Sequence, residues 1–196
     1  MALNDQAVLT PARGFVYLAP VGTAAPSPAD VAKFSPDTAL AGWESVGHTA
    51  RDELPTWGYD GGEVETRGSW QSASLREVVT AAATDYVQFR LHQFDKGSLG
   101  LYYSVSDPGD TPGVFAVKQS PTKPLERALL IVIMDGDVSI AFYAPRASVR
   151  RDESIELSID EFAALPVRAT FLTQPGVSLF EWISEATGVN PAPPAT

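Results

Sequence analysis

Residues 85–94 set Val87, Phe89 and Leu91 against Gln88, Arg90 and His92, the two-residue period of a strand with one wet face. The same alternation returns twice. Ile155, Leu157 and Ile159 interleave with Glu156 and Ser158, and Val167, Ala169 and Phe171 interleave with Arg168 and Thr170, so both stretches are expected to be half-polar strands. Residues 125–134 form a longer, nearly continuous apolar strand. Asp135-Gly136-Asp137 then makes a tight turn and residues 138–143 alternate on the way back, which predicts a β-hairpin. The period also places Ile131 and Ile133 on one face and Val132 on the other. Residues 14–19 are a first strand, stopped by Pro20 and Gly22, and residues 43–48 a short second one.

Other stretches are less regular. In residues 69–83, Leu75, Val78, Val79 and Ala82 fit a helical face, while Trp70, the valines and the threonines permit a strand; local pattern leaves the choice open. Residues 95–103 can hold a short helix weakened by Gly97 and Gly100, and residues 107–113 are a loop by turn chemistry. Residues 24–37, rich in Ala, Pro and Ser, predict an extended or loosely packed excursion. Ser178 and Glu181 have capping-box spacing, so a short helix is expected there. Residues 1–13 read as an arm, 14–187 as a single domain and 188–196 as a flexible tail, with 191–196 disordered. No internal repeat is found.

Residues 51–67 stand apart. Between Arg51 and Arg67 lie Asp52, Glu53, Asp60, Glu63 and Glu65 with no basic residue. Pro55, Gly58, Gly61 and Gly62 break any period, and Trp57 and Tyr59 add two rings that a merely solvating loop does not need. A long loop of this kind is expected to be functional.

Composition narrows the function. With 16 Pro and 15 Gly in 196 residues, of which 44% are hydrophobic, the chain suits a β-rich domain with many turns. Fourteen basic residues against 24 acidic ones give a net charge of −10, which argues against tight phosphate binding but not against nucleic acid sliding past. Only Lys33, Lys96, Lys118 and Lys123 are lysines; the arginines suit planar contacts with carboxylates. The absence of cysteine removes disulfides, thiolate nucleophiles and thiolate metal sites. Residues 1–9 lack the features of a secretory signal, and the longest apolar run, 128–134, is too short to span a bilayer, so a soluble protein without a membrane association is expected.

Candidate chemistry is thin. His48 and His92 lack ligand spacing and read as solvated or hydrogen-bonded histidines. Asp135 and Asp137 begin like a calcium loop, but Ser139 and Ala141 follow, and turn residues are the better reading. The acids of residues 60–65 lack the twelve-residue calcium pattern, and Ser120-Pro-Thr-Lys123 is a chance match to a penicillin-binding motif without its partners. No phosphate loop, dinucleotide fingerprint or nucleophile elbow occurs, so no enzyme, cofactor or metal is expected.

The order of segments carries a resemblance. Trp43-Glu44-Ser45-Val46-Gly47-His48-Thr49 runs into Arg51-Asp52-Glu53-Leu54-Pro55, then Gly58-Tyr59-Asp60-Gly61-Gly62-Glu63 and Leu75-Arg76-Glu77. Asp85-Tyr86-Val87, Leu91-His92-Gln93-Phe94-Asp95 and Glu161-Phe162-Ala163-Ala164-Leu165-Pro166-Val167 follow. This series resembles the major tail tube proteins of long, non-contractile-tailed phages of actinobacteria, over about residues 14–173. The resemblance implies a mainly β subunit of the sandwich or barrel type with one flanking helix, arms and a long loop. It makes residues 69–79 a strand and puts the helix near 94–103. It implies a virion protein, assembled in the host cytoplasm, that forms stacked six-membered rings round a lumen through which DNA passes. Its partners would be itself and other tail proteins, namely tape measure, terminator and distal tail. The expected subunit contact is Arg51, Asp52, Glu53, Trp57, Tyr59, Asp60, Glu63, Glu65 and Arg67. The expected lumen or interface face is Gln88, Arg90, His92, Arg168 and Thr170, its arginines neutralised by neighbouring acids, with Glu77 a partner for Arg90. Two other readings are a terminator, completion or secretion-tube ring and a carbohydrate-binding sandwich using Trp43, Trp57 and Trp70.

Overall fold

A computed structural model describes residues 3–118 and 123–190. The expectations for residues 191–196 and for most of the 120–123 match lie outside them. Ten strands and two α-helices follow in the order β1 (Arg13–Ala19), α1 (Pro28–Ala32), β2 (Glu44–Ser45), β3 (Thr56–Asp60), β4 (Val64–Ser69), β5 (Ser72–Val79), β6 (Thr84–Leu91), α2 (Lys96–Tyr103), β7 (Leu125–Asp135), β8 (Val138–Arg151), β9 (Leu165–Phe171) and β10 (Glu181–Ile183). The main sheet is antiparallel with strand order β2-β1-β7-β8-β9-β6-β3, and β10 adds to β8. Residues 44–50 draw its two ends together. Glu44 and Ser45 pair with β1, while His48 O accepts from His92 N at 2.9 Å and Ala50 N donates to Arg90 O at 3.0 Å. The sheet therefore curls towards a barrel around one apolar cluster.

The apolar run of β7 needs no polar alternation because its middle is covered on both faces. Leu129, Ile131 and Ile133 enter the cluster inside the curl with Val16, Phe89, Phe142 and Val167; Leu130 and Val132 enter a second cluster with Tyr17, Trp43 and Tyr143. Residues 24–37 help to build that second cluster. Contrary to the expected loose excursion, Ser27 and Asp30 form a reciprocal capping box with Pro28 in the first turn, and α1 follows. Val31 and Phe34 are thereby set against the sheet, Phe34 lying 5.5 Å from Phe15 and 6.0 Å from Tyr17. On the other side α2, capped by Asp95, which accepts from Ser98 N at 2.9 Å, seats Leu101 and Tyr102 in the first cluster.

The β7–β8 hairpin turns through Gly136 and Asp137, with Asp135 opposite Val138 and Gly136 at φ 57. Positive φ at the first central position suits a type II′ turn. β8 does not stop near Tyr143. It passes a bulge, where Leu129 faces Ala144 but Arg127 faces Ala147, and continues to Arg151. Pro145 sits in that bulge, where its missing N–H breaks no ladder.

Two further expectations fail. Residues 178–184 form no helix, because Trp182 pairs opposite Phe142 in β10 and joins rings from Trp57 and Phe142 at 5.4 and 5.0 Å. Strand pairing with β8 and these ring contacts outweigh the local capping signal. Residues 155–159 form no strand despite their alternation: no edge of the sheet reaches them, and Leu157 and Ile159 are 79% and 100% exposed. Of residues 69–83, left open by local pattern, Ser72–Val79 form strand β5.

Candidate assembly surface

The inner apolar face of β3, β6, β9 and the end of β8 forces their alternate residues outwards. Thr56 lies opposite Gln88, Gln88 opposite Arg168, Tyr86 opposite Thr170, and Arg150 opposite Arg168. Four of the five expected face residues, Gln88, Arg90, Arg168 and Thr170, thus share one polar strip. His92 lies past the end of β6, its Nδ1 3.2 Å from Ala163 O and its ring 5.7 Å from Phe162.

The strip's arginines are held by carboxylates, though not by Glu77, which sits on β5 opposite Thr66. Arg168 is only 15% exposed; its Nη1 donates to Asp60 at 2.7 Å, and its guanidinium lies 3.6 Å from the centre of the Tyr86 ring. Its Nε is 3.2 Å from Asp152 Oδ1, an ionic contact without hydrogen-bond alignment. Gln88 donates to the other Asp152 oxygen. Arg90 contacts Glu53 through Nε and Glu153 through Nη2 at 3.2 Å. Four carboxylates thus hold Arg90 and Arg168, while Arg150, opposite Arg168, is exposed and makes no ion pair among the described residues. Asp152 and Glu153 were not singled out from sequence, although they directly follow the Arg150-Arg151 end of β8.

Residues 51–67 are not one long loop. β3 pairs with β6, and β4 pairs with β5 in a separate two-stranded hairpin. Trp57 belongs to the core, its ring 5.4 Å from Phe142, and Glu53 and Asp60 are engaged by the subunit's own arginines. Tyr59, Glu63, Glu65 and Arg67 remain exposed, as do Arg51 and Asp52. The last two border a cleft of about 980 Å³ with His48, His92, Ile159 and Phe162. Among the described residues no group of three or more His, Cys, Asp or Glu is placed to hold a metal ion.

The β4–β5 hairpin pairs with no other strand among the described residues. Its register puts Val64, Thr66, Leu75, Glu77 and Val79 on one face and Glu65, Arg67, Arg76 and Val78 on the other. Arg67 faces Arg76 directly; Arg67 is 3.3 Å from Glu65, whereas Arg76 has no ionic partner among the described residues. Trp70, at the tip, is 99% exposed. With Trp43 in the second cluster, Trp57 in the first and Trp70 at this tip, the three rings form no sugar platform. Sequence reasoning offered a surface role for Trp70 only within the sugar-platform reading and did not mark Leu75 and Val79 as surface groups, because their exposure depends on the hairpin standing clear of the sheet.

Sequence comparison with known proteins identifies the family. The model of the family described as phage tail tube protein matches residues 1–196. The chain is 52% identical over 190 residues to major tail protein Gp23 of Mycobacterium phage L5, covering 94% of each chain, and equally so to major tail protein Gp23 of Mycobacterium phage D29. A mainly β subunit with a free hairpin and a charge-balanced polar strip, matched along its whole length, belongs to the phage tail tube protein family.

Proposed function

We propose that this chain is a structural, non-catalytic virion protein whose copies assemble into stacked, six-membered rings, forming the tail tube through which DNA passes. The observation that carries the reading is the β4–β5 hairpin. An isolated two-stranded hairpin is at best marginally stable in water, and this one exposes Val64, Leu75, Val79 and Trp70 together. Such a surface fits a contact with another protein chain. Its exposed Glu63, Glu65 and Arg67, with Tyr59 at its root, keep the assembly role expected for the 51–67 region; Trp57, Glu53 and Asp60 serve the subunit itself.

The polar strip of β6 and β9 is assigned to the lumen. A wall that trapped phosphates would hold DNA, since each neutralised phosphate adds salt-sensitive affinity. Here Arg90 and Arg168 are occupied by Glu53, Glu153, Asp60 and Asp152, which supports a wall that lets a polyanion slide. The other tail proteins implied by the family would meet the ends of the tube. Negative-stain microscopy of concentrated pure protein tests the reading: tubes of stacked rings are expected, and a strictly monomeric protein at every concentration would overturn it.

A further inference from the structure

Two elements of this subunit are each half of something. The first is the β4–β5 hairpin, amphipathic and open along the outer edge of β5, where Arg76 faces Arg67 without an acid of its own. Like charges directly opposite on a ladder are unfavourable, so a carboxylate brought beside Arg76 would be stabilising. The second is the segment 154–160, which has the two-residue period of a strand and no strand beside it. Its ends are pinned. Tyr102 Oη donates to Glu153 O at 2.7 Å, Arg90 holds the Glu153 carboxylate, and His92 engages Ala163 O and the Phe162 ring. Between these anchors Glu156, Leu157, Ser158, Ile159 and Asp160 are all exposed.

We propose that residues 154–159 of one copy pair, as a third strand, with the free edge of β5 in a second copy. The proposal rests on the assembly reading above and names the contact within it. Both faces match. The odd residues Leu157 and Ile159 fall on the face where Leu75 and Val79 flank Glu77, while Glu156 falls on the face of Arg76 and Arg67. Main-chain bonds along an open edge supply affinity in this mode, and the alternating side chains supply specificity.

The partner must be another copy. The hairpin springs from the Asp60–Thr84 end of β6, whereas the 154–160 segment lies beyond the Leu91–Leu165 end. Seven residues of strand separate those ends, roughly 23 Å at the usual rise, so a subunit's own segment does not reach its own hairpin. Complementary elements at opposite ends make a head-to-tail contact, which propagates into an open filament when its rotation does not close.

Because the chain has no cysteine, the contact can be read by parity. Copies carrying Ser74→Cys or Arg76→Cys are mixed, under mild oxidation, with copies carrying Glu156→Cys, Ser158→Cys, Leu157→Cys or Ile159→Cys. Mixed disulfide dimers are expected with positions 156 and 158 and not with 157 and 159, because only the even pair shares the face of 74 and 76. Dimers without parity, or none at all, overturn the proposal. A second arm uses charge: Arg76→Glu and Glu156→Arg should each abolish tube growth, and the two together in one chain should restore it. Folded single variants that still elongate would also overturn the pairing. Tubes from the unmodified chain report separately on the assembly reading, so the two ideas fail independently.

Discussion

Along β9 the side chain of Arg168 stacks on Tyr86 and lies between Asp60 and Asp152, in a site where both Arg168 and Asp152 are largely buried. Replacing it with methionine keeps the aliphatic stem but leaves Asp152 with Gln88 alone. The expected loss is about 2 kcal/mol, between the small value of exposed pairs and the large one of buried pairs. Urea unfolding should show it as a lower midpoint with unchanged slope; a variant as stable as the parent would mean that the pair is effectively solvated. Arg146 holds Glu126 at 2.9 and 3.0 Å beside the Pro145 bulge. These bonds keep the Glu126 carboxyl below the ordinary glutamate range. A depressed folded-state value means that the pair's contribution is complete above the ordinary glutamate range and is lost as pH falls through the lowered value. Carboxyl NMR titration should place Glu126 below an ordinary glutamate, and Arg146→Ala should bring it back. An unchanged midpoint in that variant would assign the shift to another cause.

Among the elements, the β4–β5 hairpin depends on a small residue near its tip. A Cβ at Gly68 would stand 2.5 Å from Ala73 O and 2.7 Å from Ser72 O, both backbone atoms that cannot swing aside. Gly68→Val should therefore open the tip around Trp70. Since the hairpin lies outside both core clusters, the thermal midpoint of the subunit should hold while tube formation is lost. A variant that melts early would show that the hairpin supports the core after all; one that assembles normally would show that the tip's shape is irrelevant.

For the molecule as a whole, the division between a self-sufficient barrel and an outlying hairpin makes a direct prediction. Glu63 O accepts from Thr80 N at 2.9 Å, closing the hairpin's base, and Asp60 still faces Thr84 below it. Removing residues 63–80 and joining Gly62 to Ala81 leaves a five-residue connection, within the usual span for adjacent strands. Trp57 and β3 stay in place, so the shortened chain should fold, with an unaltered melting midpoint. It should sediment as a monomer at concentrations where the full chain elongates. Tubes built from it would remove the hairpin from the account of assembly.

The strands β6, β7, β9 and the start of β8 were legible in the sequence, as were helix α2 and the hairpin turn at Gly136. Alternation such as Val87-Gln88-Phe89-Arg90 is imprinted locally by a strand that is half buried, and Gly136 marks its turn by backbone freedom alone. The capping box at Ser27 and Asp30 was equally local but lay hidden among prolines. What only the tertiary structure decided was partnership. Segment 155–159 has a strand's pattern and no neighbour, while 181–183 has a helix's cap spacing and pairs with β8. Arg168 finds Asp60 across 108 positions of sequence, and Trp57 turns inward although its segment is polar. A strand needs an edge and a charge needs a counter-charge, and both are placed by closure of the sheet, which no short stretch of sequence encodes.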